Sequence, residues 1–159
     1  MSEIKIITKS AEETMSAAGN FAKHLKAGDI VLLKGQLGAG KTTFTKGLAE
    51  GFKIKKTSVN SPTFILMNFY EGKLPVYHFD FYRIERVEHL FTVDLDEYFY
   101  GNGIAVIEWP ERLGELLPKE FFQVSLEHKS EEERVIKFSA SGESYLKRLK
   151  QMLKHITSK

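Results

Sequence analysis

Apolar residues recur along this chain at two different intervals, and the switches between the intervals mark out its elements. Residues 3–8 alternate polar and apolar, which predicts a short strand. From Ser10 the spacing becomes helical, with Ala17, Phe21, His24 and Leu25 in step, and Ser10 with Glu13 three residues on fits a capping box. This helix is expected to end at Gly28. Residues 29–34 are a continuous apolar run and read as a strand buried on both faces. A helix is predicted over 41–51, a basic connection over 53–58, and strands over 63–70 and 74–81 around a turn at 71–73. Residues 85–98 suit a helix, 101–103 (Gly-Asn-Gly) break the chain, and 104–107 form a second buried strand. A late hairpin is expected from 121–127 and 134–140. Residues 144–156 then close the chain as an amphipathic helix with Leu146, Leu149, Leu153 and Ile156 on one face.

Composition narrows what such a chain can be. With 159 residues it has the size of one domain, expected to span 1–159, and can bury roughly two-thirds of its unfolded surface without a covalent staple. Cysteine is absent, which excludes disulfides, thiolate metal sites and cysteine nucleophiles. No apolar run approaches the ~20 residues of a membrane helix, and the first residues lack a signal-peptide pattern, so a cytoplasmic location without membrane attachment is the expectation. The net charge of +2 is unevenly spread: 41–75 sums to +4 and 76–120 to −6. Such blocks suit a phosphate-facing and a protein-facing surface, or ordinary solvated surface.

The chemistry is concentrated in four strings. Gly35-Gln36-Leu37-Gly38-Ala39-Gly40-Lys41-Thr42 matches G-x-x-x-x-G-K-[ST] in full, between a buried strand and a helix. Usual residue frequencies put a chance match in a chain of this length at roughly one in a hundred or below. Glycines let successive N–H groups turn toward one anion, and the helix start adds partial positive charge. Lys41 can bridge β- and γ-phosphates and Thr42 can ligate Mg²⁺. The strand–loop–helix alternation followed by hairpins therefore predicts an α/β, three-layer P-loop NTPase-like domain with a mixed sheet, parallel strands plus an antiparallel hairpin.

Ile104-Ala105-Val106-Ile107-Glu108 supplies the other half of such a site, an acid at the tip of a buried strand. Glu108 is suited to hold a magnesium-bound water or to act as base on attacking water. In 78–83 (His-Phe-Asp-Phe-Tyr-Arg), period two puts His78, Asp80 and Tyr82 on one face and Phe79 and Phe81 on the other. Asp80 is then suited to orient the groups around a magnesium ion or to position water, and His78 alone reads more readily as a structural hydrogen-bonding residue. Ser61-Pro62-Thr63-Phe64 offers two hydroxyls beside a proline, fitting a γ-phosphate-sensing loop or equally a plain turn. Trp109-Pro110 walls the site or packs a corner. The remaining histidines are scattered, so no transition-metal site is expected.

ATP is favoured over GTP because neither Asn-Lys-x-Asp nor Asp-x-x-Gly occurs. A small-molecule P-loop kinase is weakened by the five arginines, Arg83, Arg86, Arg112, Arg134 and Arg148, none of them paired in a lid pattern. Lys147, Arg148, Lys150 and Lys154 oppose the last helix's leucines and read as a solvated face more readily than a tRNA-phosphate surface.

Taken in order, Gly35 to Phe44, Ser61-Pro62-Thr63-Phe64, His78-x-Asp80-x-Tyr82-Arg83 and Ile107-Glu108-Trp109-Pro110-Glu111 resemble the bacterial TsaE (YjeE) family of P-loop ATPases of tRNA threonylcarbamoyladenosine biosynthesis. The likeness runs from about residue 10 to 142. It implies a weak ATPase, turning ATP and water into ADP and phosphate with Mg²⁺. It also implies that this ATPase acts as a switch on a TsaB–TsaD enzyme modifying adenosine 37 of tRNA, with tRNA met through that complex if at all. By resemblance Lys41, Asp80 and Glu108 are catalytic; Gly35 to Thr43 with Thr14 and Arg134 hold nucleotide; and Thr42, Glu108 and Asp80 attend the metal. Ser61, Thr63, Tyr82, Arg83 and Trp109 then belong to the switch or partner face. One departure is Gln36, where the family commonly has Asp, at a position facing away from the key phosphate contacts. A kinase, or a nucleotide-binding regulator that never hydrolyses, stays open at this point.

Overall fold

The computed structural model describes residues 3–36, 38–62 and 66–156, with backbone only for Lys154 and Ile156. Seven strands form one sheet: β1 (Ile4–Thr8), β2 (Ile30–Lys34), β3 (Met67–Tyr70), β4 (Val76–Asp80), β5 (Ile104–Glu108), β6 (Phe121–His128) and β7 (Arg134–Ser141). Their order is β1-β7-β6-β2-β5-β4-β3. The four central strands β6, β2, β5 and β4 are parallel, while β7 and β1 at one edge and β3 at the other run antiparallel to their neighbours. The mixed α/β sheet is thus as expected. Ile30 to Leu33 are buried on both faces, which is why their run is continuously apolar rather than alternating.

One face of the sheet carries α1 (Ala11–Ala22), α2 (Lys41–Gly51) and α4 (Glu143–Ile156). There Val31, Leu33, Val106, Phe122 and Phe138 pack with Phe21, Phe44 and Leu48. The other face is covered by α3 (Leu95–Phe99) and short 3-10 turns, around Leu32, Phe79, Phe81, Phe99 and Ile107. Helices α1 and α2 approach backbone to backbone: a Cβ at Gly47 would lie 2.2 Å from the Met15 carbonyl oxygen, and one at Gly51 would lie 2.6 Å from Ala22 Cβ.

The α1 cap is as predicted on one side: Ser10 Oγ accepts from the Glu13 amide at 3.1 Å, while the Glu13 carboxylate accepts from Lys9 N–H rather than from Ser10. The helix ends at Ala22, not Gly28, and Gly28 (φ +91°) instead turns the chain into β2. Among the described residues β3 starts only at Met67, β4 spans Val76–Asp80, and the connection between them is 71–75 rather than 71–73.

The helix predicted over 85–98 is two pieces, a 3-10 turn Val87–Leu90 and the short α3. Asp94 starts α3 afresh by accepting from the Glu97 amide, and the intervening Phe91-Thr92-Val93 has poor helical preference. The 3-10 segment Pro110–Leu116 has no counterpart in the periodicity.

In α4 the buried stripe is Leu149 and Met152 with half-buried Tyr145, and Leu153 is 45% exposed. The stripe is rotated because Arg148 points inward rather than belonging to the basic face. Its guanidinium meets both oxygens of buried Asp29, at 2.8 and 2.6 Å, and donates to the His24 carbonyl at 2.8 Å. It also lies 5.0 Å from the Phe122 ring. A planar fork that satisfies a carboxylate and a carbonyl together outweighs the preference for another leucine at this surface.

Candidate functional site

The glycine loop leaves β2 at the sheet's carboxyl edge and enters α2 at Lys41. Gly35 has no room for a side chain, since a Cβ there would come 2.8 Å from the Leu126 carbonyl oxygen. Gly40 stands at φ +103° and caps α2 without any side-chain hydrogen bond. The first amides of this helix, which have no acceptor within it, therefore keep their donors for something outside. Helix α1 differs, because Ser10 fills that role there.

Parallel pairing brings the acids to the same edge. Asp80 and Glu108 are register partners at the ends of β4 and β5, and Leu33 lies opposite Glu108 on β2. All three follow buried runs, so the carboxylates sit at the ends of strands that cannot move independently. Both acids are buried, and Asp80 accepts from the Tyr82 amide at 2.8 Å. Lys41 Nζ lies 3.9 Å from Glu108 Oε1 and 4.4 Å from the centre of the Trp109 ring. Burial pushes the Lys41 ammonium below the usual lysine value, and Glu108, Asp80 and Glu111 oppose that shift without cancelling it. Trp109 reaches this place through a left-handed backbone (φ 57°, ψ 50°), a conformation costly for a bulky residue. It packs on Tyr82 with ring centres 4.8 Å apart.

The period-two split of β4 is as expected, with Phe79 and Phe81 in the opposite core from His78 and Asp80. The imidazole does not line an open polar surface, however: it is fully buried, with both ring nitrogens engaged by neighbouring side chains. His78 Nε2 lies 2.5 Å from Glu108 Oε2, and Nδ1 lies 3.2 Å from the Tyr70 hydroxyl. Tyr70 in turn meets the Asn60 carbonyl at 3.0 Å and the Asn60 amide at 3.2 Å, with Asn68 Nδ2 beside both. Sequence reasoning missed Tyr70 and Asn60. The available signal was that β3 and β4 form a hairpin, which brings Tyr70 near the His78 face.

Thr14 and Arg134 border a cavity of about 310 Å³ with Gly40 and Thr43, beside the loop. The Thr14 hydroxyl is engaged with Thr8 Oγ1 at 2.7 Å. Arg134 Nε donates to the Ala39 carbonyl at 3.0 Å, and its Nη1 donates to the carbonyls of Ser130, Glu131 and Glu133. This guanidinium therefore braces the loop from behind. Tyr82, Arg83 and Ser61 are exposed. Ser61 lines a second cavity of about 550 Å³ with Asn60, Tyr70, Lys53 and Lys55. Leu37 and Thr63, with Phe64, lie outside the described residues.

Thr42, Asp80 and Glu108 are all hard oxygen donors at one edge, a set that fits Mg²⁺ carried in with phosphate oxygens. Among the described residues no group of three or more His, Asp and Glu is placed to hold a metal ion by itself.

A central strand feeding a glycine loop into an uncapped helix, with an acid ending the next parallel strand, defines an α/β domain of the phosphate-loop class. Residues 8–136 match the family described as "Threonylcarbamoyl adenosine biosynthesis protein TsaE". The chain is 42% identical, over 98% of its length and 97% of the relative's, to the tRNA threonylcarbamoyladenosine biosynthesis protein TsaE of Bacillus subtilis. It is 40% identical to the protein of that name in Treponema pallidum, over 77% of this chain and 90% of the other. The crystal structure of Bacillus subtilis YdiB superposes with a TM-score of 0.80 at 37% identity, covering 97% of this chain and 96% of that one. The chain belongs to the TsaE family.

Proposed function

We propose that this protein is the Mg²⁺-dependent, ATP-binding and ATP-hydrolysing subunit that supports TsaB–TsaD in threonylcarbamoyl modification of adenosine 37 of tRNA. The observation that carries this reading is the meeting of Lys41, Glu108 and Asp80 at the uncapped start of α2. The relatives' names supply the pathway.

Each residue has a task in that reaction. The α2 amides and Lys41 bind the phosphates, and Lys41 leaves the carboxylate and the Trp109 face to do so. Thr42 and Glu108 are the oxygen donors for Mg²⁺, which when bound withdraws charge from the phosphates and favours their cleavage. Asp80, fixed by the Tyr82 amide, orders water beside Glu108. The cavity beside Thr14 and Arg134 takes the nucleoside. Because Arg134 spends its donors on backbone carbonyls, it has little left to stabilise transferred charge. Intrinsic turnover is therefore slow, and a partner completes the site. Ser61, Tyr82, Arg83 and Trp109 form the surface through which the nucleotide state is passed to TsaB–TsaD.

The test is phosphate release from ATP by the chain alone and with purified TsaB–TsaD, with Lys41→Ala as control. Stimulation by the pair that vanishes in Lys41→Ala is the expected result. ATP bound without stimulated release would point instead to a kinase or a silent regulator.

A further inference from the structure

Buried polar groups connect the start of the proposed switch segment to the strand-end acid. From Asn60 the path runs through the Tyr70 hydroxyl to His78 Nδ1, and from His78 Nε2 to Glu108 Oε2. We infer that Tyr70 and His78 are positioning residues through which the segment around Asn60 controls the orientation of Glu108. The inference rests on the ATPase reading of Glu108 given above.

A carboxylate only accepts, so the 2.5 Å contact makes His78 Nε2 the donor to Glu108. In a neutral imidazole Nδ1 is then an acceptor, and among the described residues the group placed to serve it is the Tyr70 hydroxyl at 3.2 Å. That hydroxyl owns a single proton and faces a second acceptor, the Asn60 carbonyl, at 3.0 Å. It also receives the Asn60 amide at 3.2 Å and Asn68 Nδ2 at 3.3 Å. One proton therefore serves two acceptors, one on the segment before Ser61 and one on the ring that holds Glu108. Drawing Asn60 away from Tyr70 releases the proton wholly to His78 and locks the Nε2–H tautomer. Returning Asn60 shares it and loosens the lock.

The consequence for the site is geometric. With Oε2 held by His78, Oε1 faces Lys41 and the loop. A ring free to tilt would carry the carboxylate with it. Nothing in this device requires a change of charge, only the choice of acceptor by one hydroxyl.

Two readouts test the inference. The first uses ¹⁵N-histidine-labelled protein without nucleotide: His78 should show a protonated Nε2 and a hydrogen-bonded Nδ1, and Tyr70→Phe should shift Nδ1 to an unbonded position while Nε2 stays protonated. A protonated Nδ1 in the wild type overturns the relay. The second is single-turnover phosphate release at saturating ATP, with the lone tryptophan, Trp109, reporting nucleotide binding by its fluorescence.

Tyr70→Phe should lower release roughly tenfold and His78→Leu roughly 10–100-fold, with nucleotide affinity within about twofold of wild type. His78→Gln, whose amide can still donate to Glu108, should recover part of the loss. In a Glu108→Gln background, adding Tyr70→Phe should change nothing further. Wild-type rates in Tyr70→Phe, or full additivity with Glu108→Gln, would sink the relay. A wild-type protein showing no nucleotide signal would overturn the proposed function instead, leaving the ring-nitrogen readout to judge the relay by itself.

Discussion

The Asp29–Arg148 pair should be a main fastening of α4, and removing both halves should cost clearly less than the two single losses added together. Arg148 makes two charge-assisted bonds to Asp29 and one to the His24 carbonyl, and its plane lies over Phe122. The bond to Asp29 raises the Arg148 pKa above an already high value, so the guanidinium keeps its charge. Asp29 is 3% exposed beneath Arg148, and Arg148→Ala leaves it with the Lys26 amide as its hydrogen-bond donor among the described residues. An uncompensated buried charge of this kind costs about 3–5 kcal/mol. The arginine side chain is 16% exposed, so water can partly reach the vacated place and the lower end, about 3 kcal/mol, is the expectation. For a domain of this size that corresponds to a fall in Tm of about 6–12 °C. Arg148→Lys should lose about half as much, since an ammonium cannot serve both oxygens and the carbonyl in one plane. Urea unfolding of Arg148→Ala, Asp29→Asn and the double variant gives the coupling, expected at about 2 kcal/mol. A loss below about 1 kcal/mol in Arg148→Ala, or additivity within about 0.5 kcal/mol, would refute the argument.

Gly47→Ala should destabilise by about 3 kcal/mol, because its Cβ meets the Met15 backbone rather than a movable side chain, and nucleotide affinity should fall with it as α2 shifts; a thermal melt and a Trp109 titration check both. Lys41→Ala should abolish productive nucleotide binding, whereas Glu108→Ala should spare much binding and lose turnover; retained turnover would count against the role of Glu108. His24 is held below its ordinary value of 6.5 chiefly by burial, then by His155, Arg148 and Lys23. Its folded form binds fewer protons, so stability is full above that value and falls as pH drops through the folded pKa; His24→Gln should flatten this acid slope in urea titrations. For Lys41, protonation is disfavoured by burial, so affinity for ATP should start to fail at a lower alkaline pH than an exposed lysine would allow, read by Trp109 fluorescence between neutral and high pH.

Local periodicity and motif chemistry determined a good deal by themselves. The range of α2, the Ser10 cap, the buried strands ending at Lys34 and Glu108, and the late hairpin follow from short-range patterns that the structure repeats. The likeness to TsaE was legible for the same reason: its marks are short strings, each needing only its own neighbours to be recognised. What depended on distant partners was not legible. The stripe of α4 turned because Asp29, 119 positions away, recruits Arg148. The 85–98 segment split where Asp94 could cap a new turn and Leu90, Leu95 and Phe99 could each reach the core. His78 reads from its neighbours as an ordinary structural histidine. Only the pairing of β4 with both β5 and β3 sets it between Glu108 and Tyr70, and so gives one buried ring a hold on the acid at the site. Sequence spacing specifies what lies on a strand's face; the sheet order and register, fixed by packing across the whole domain, decide what that face meets.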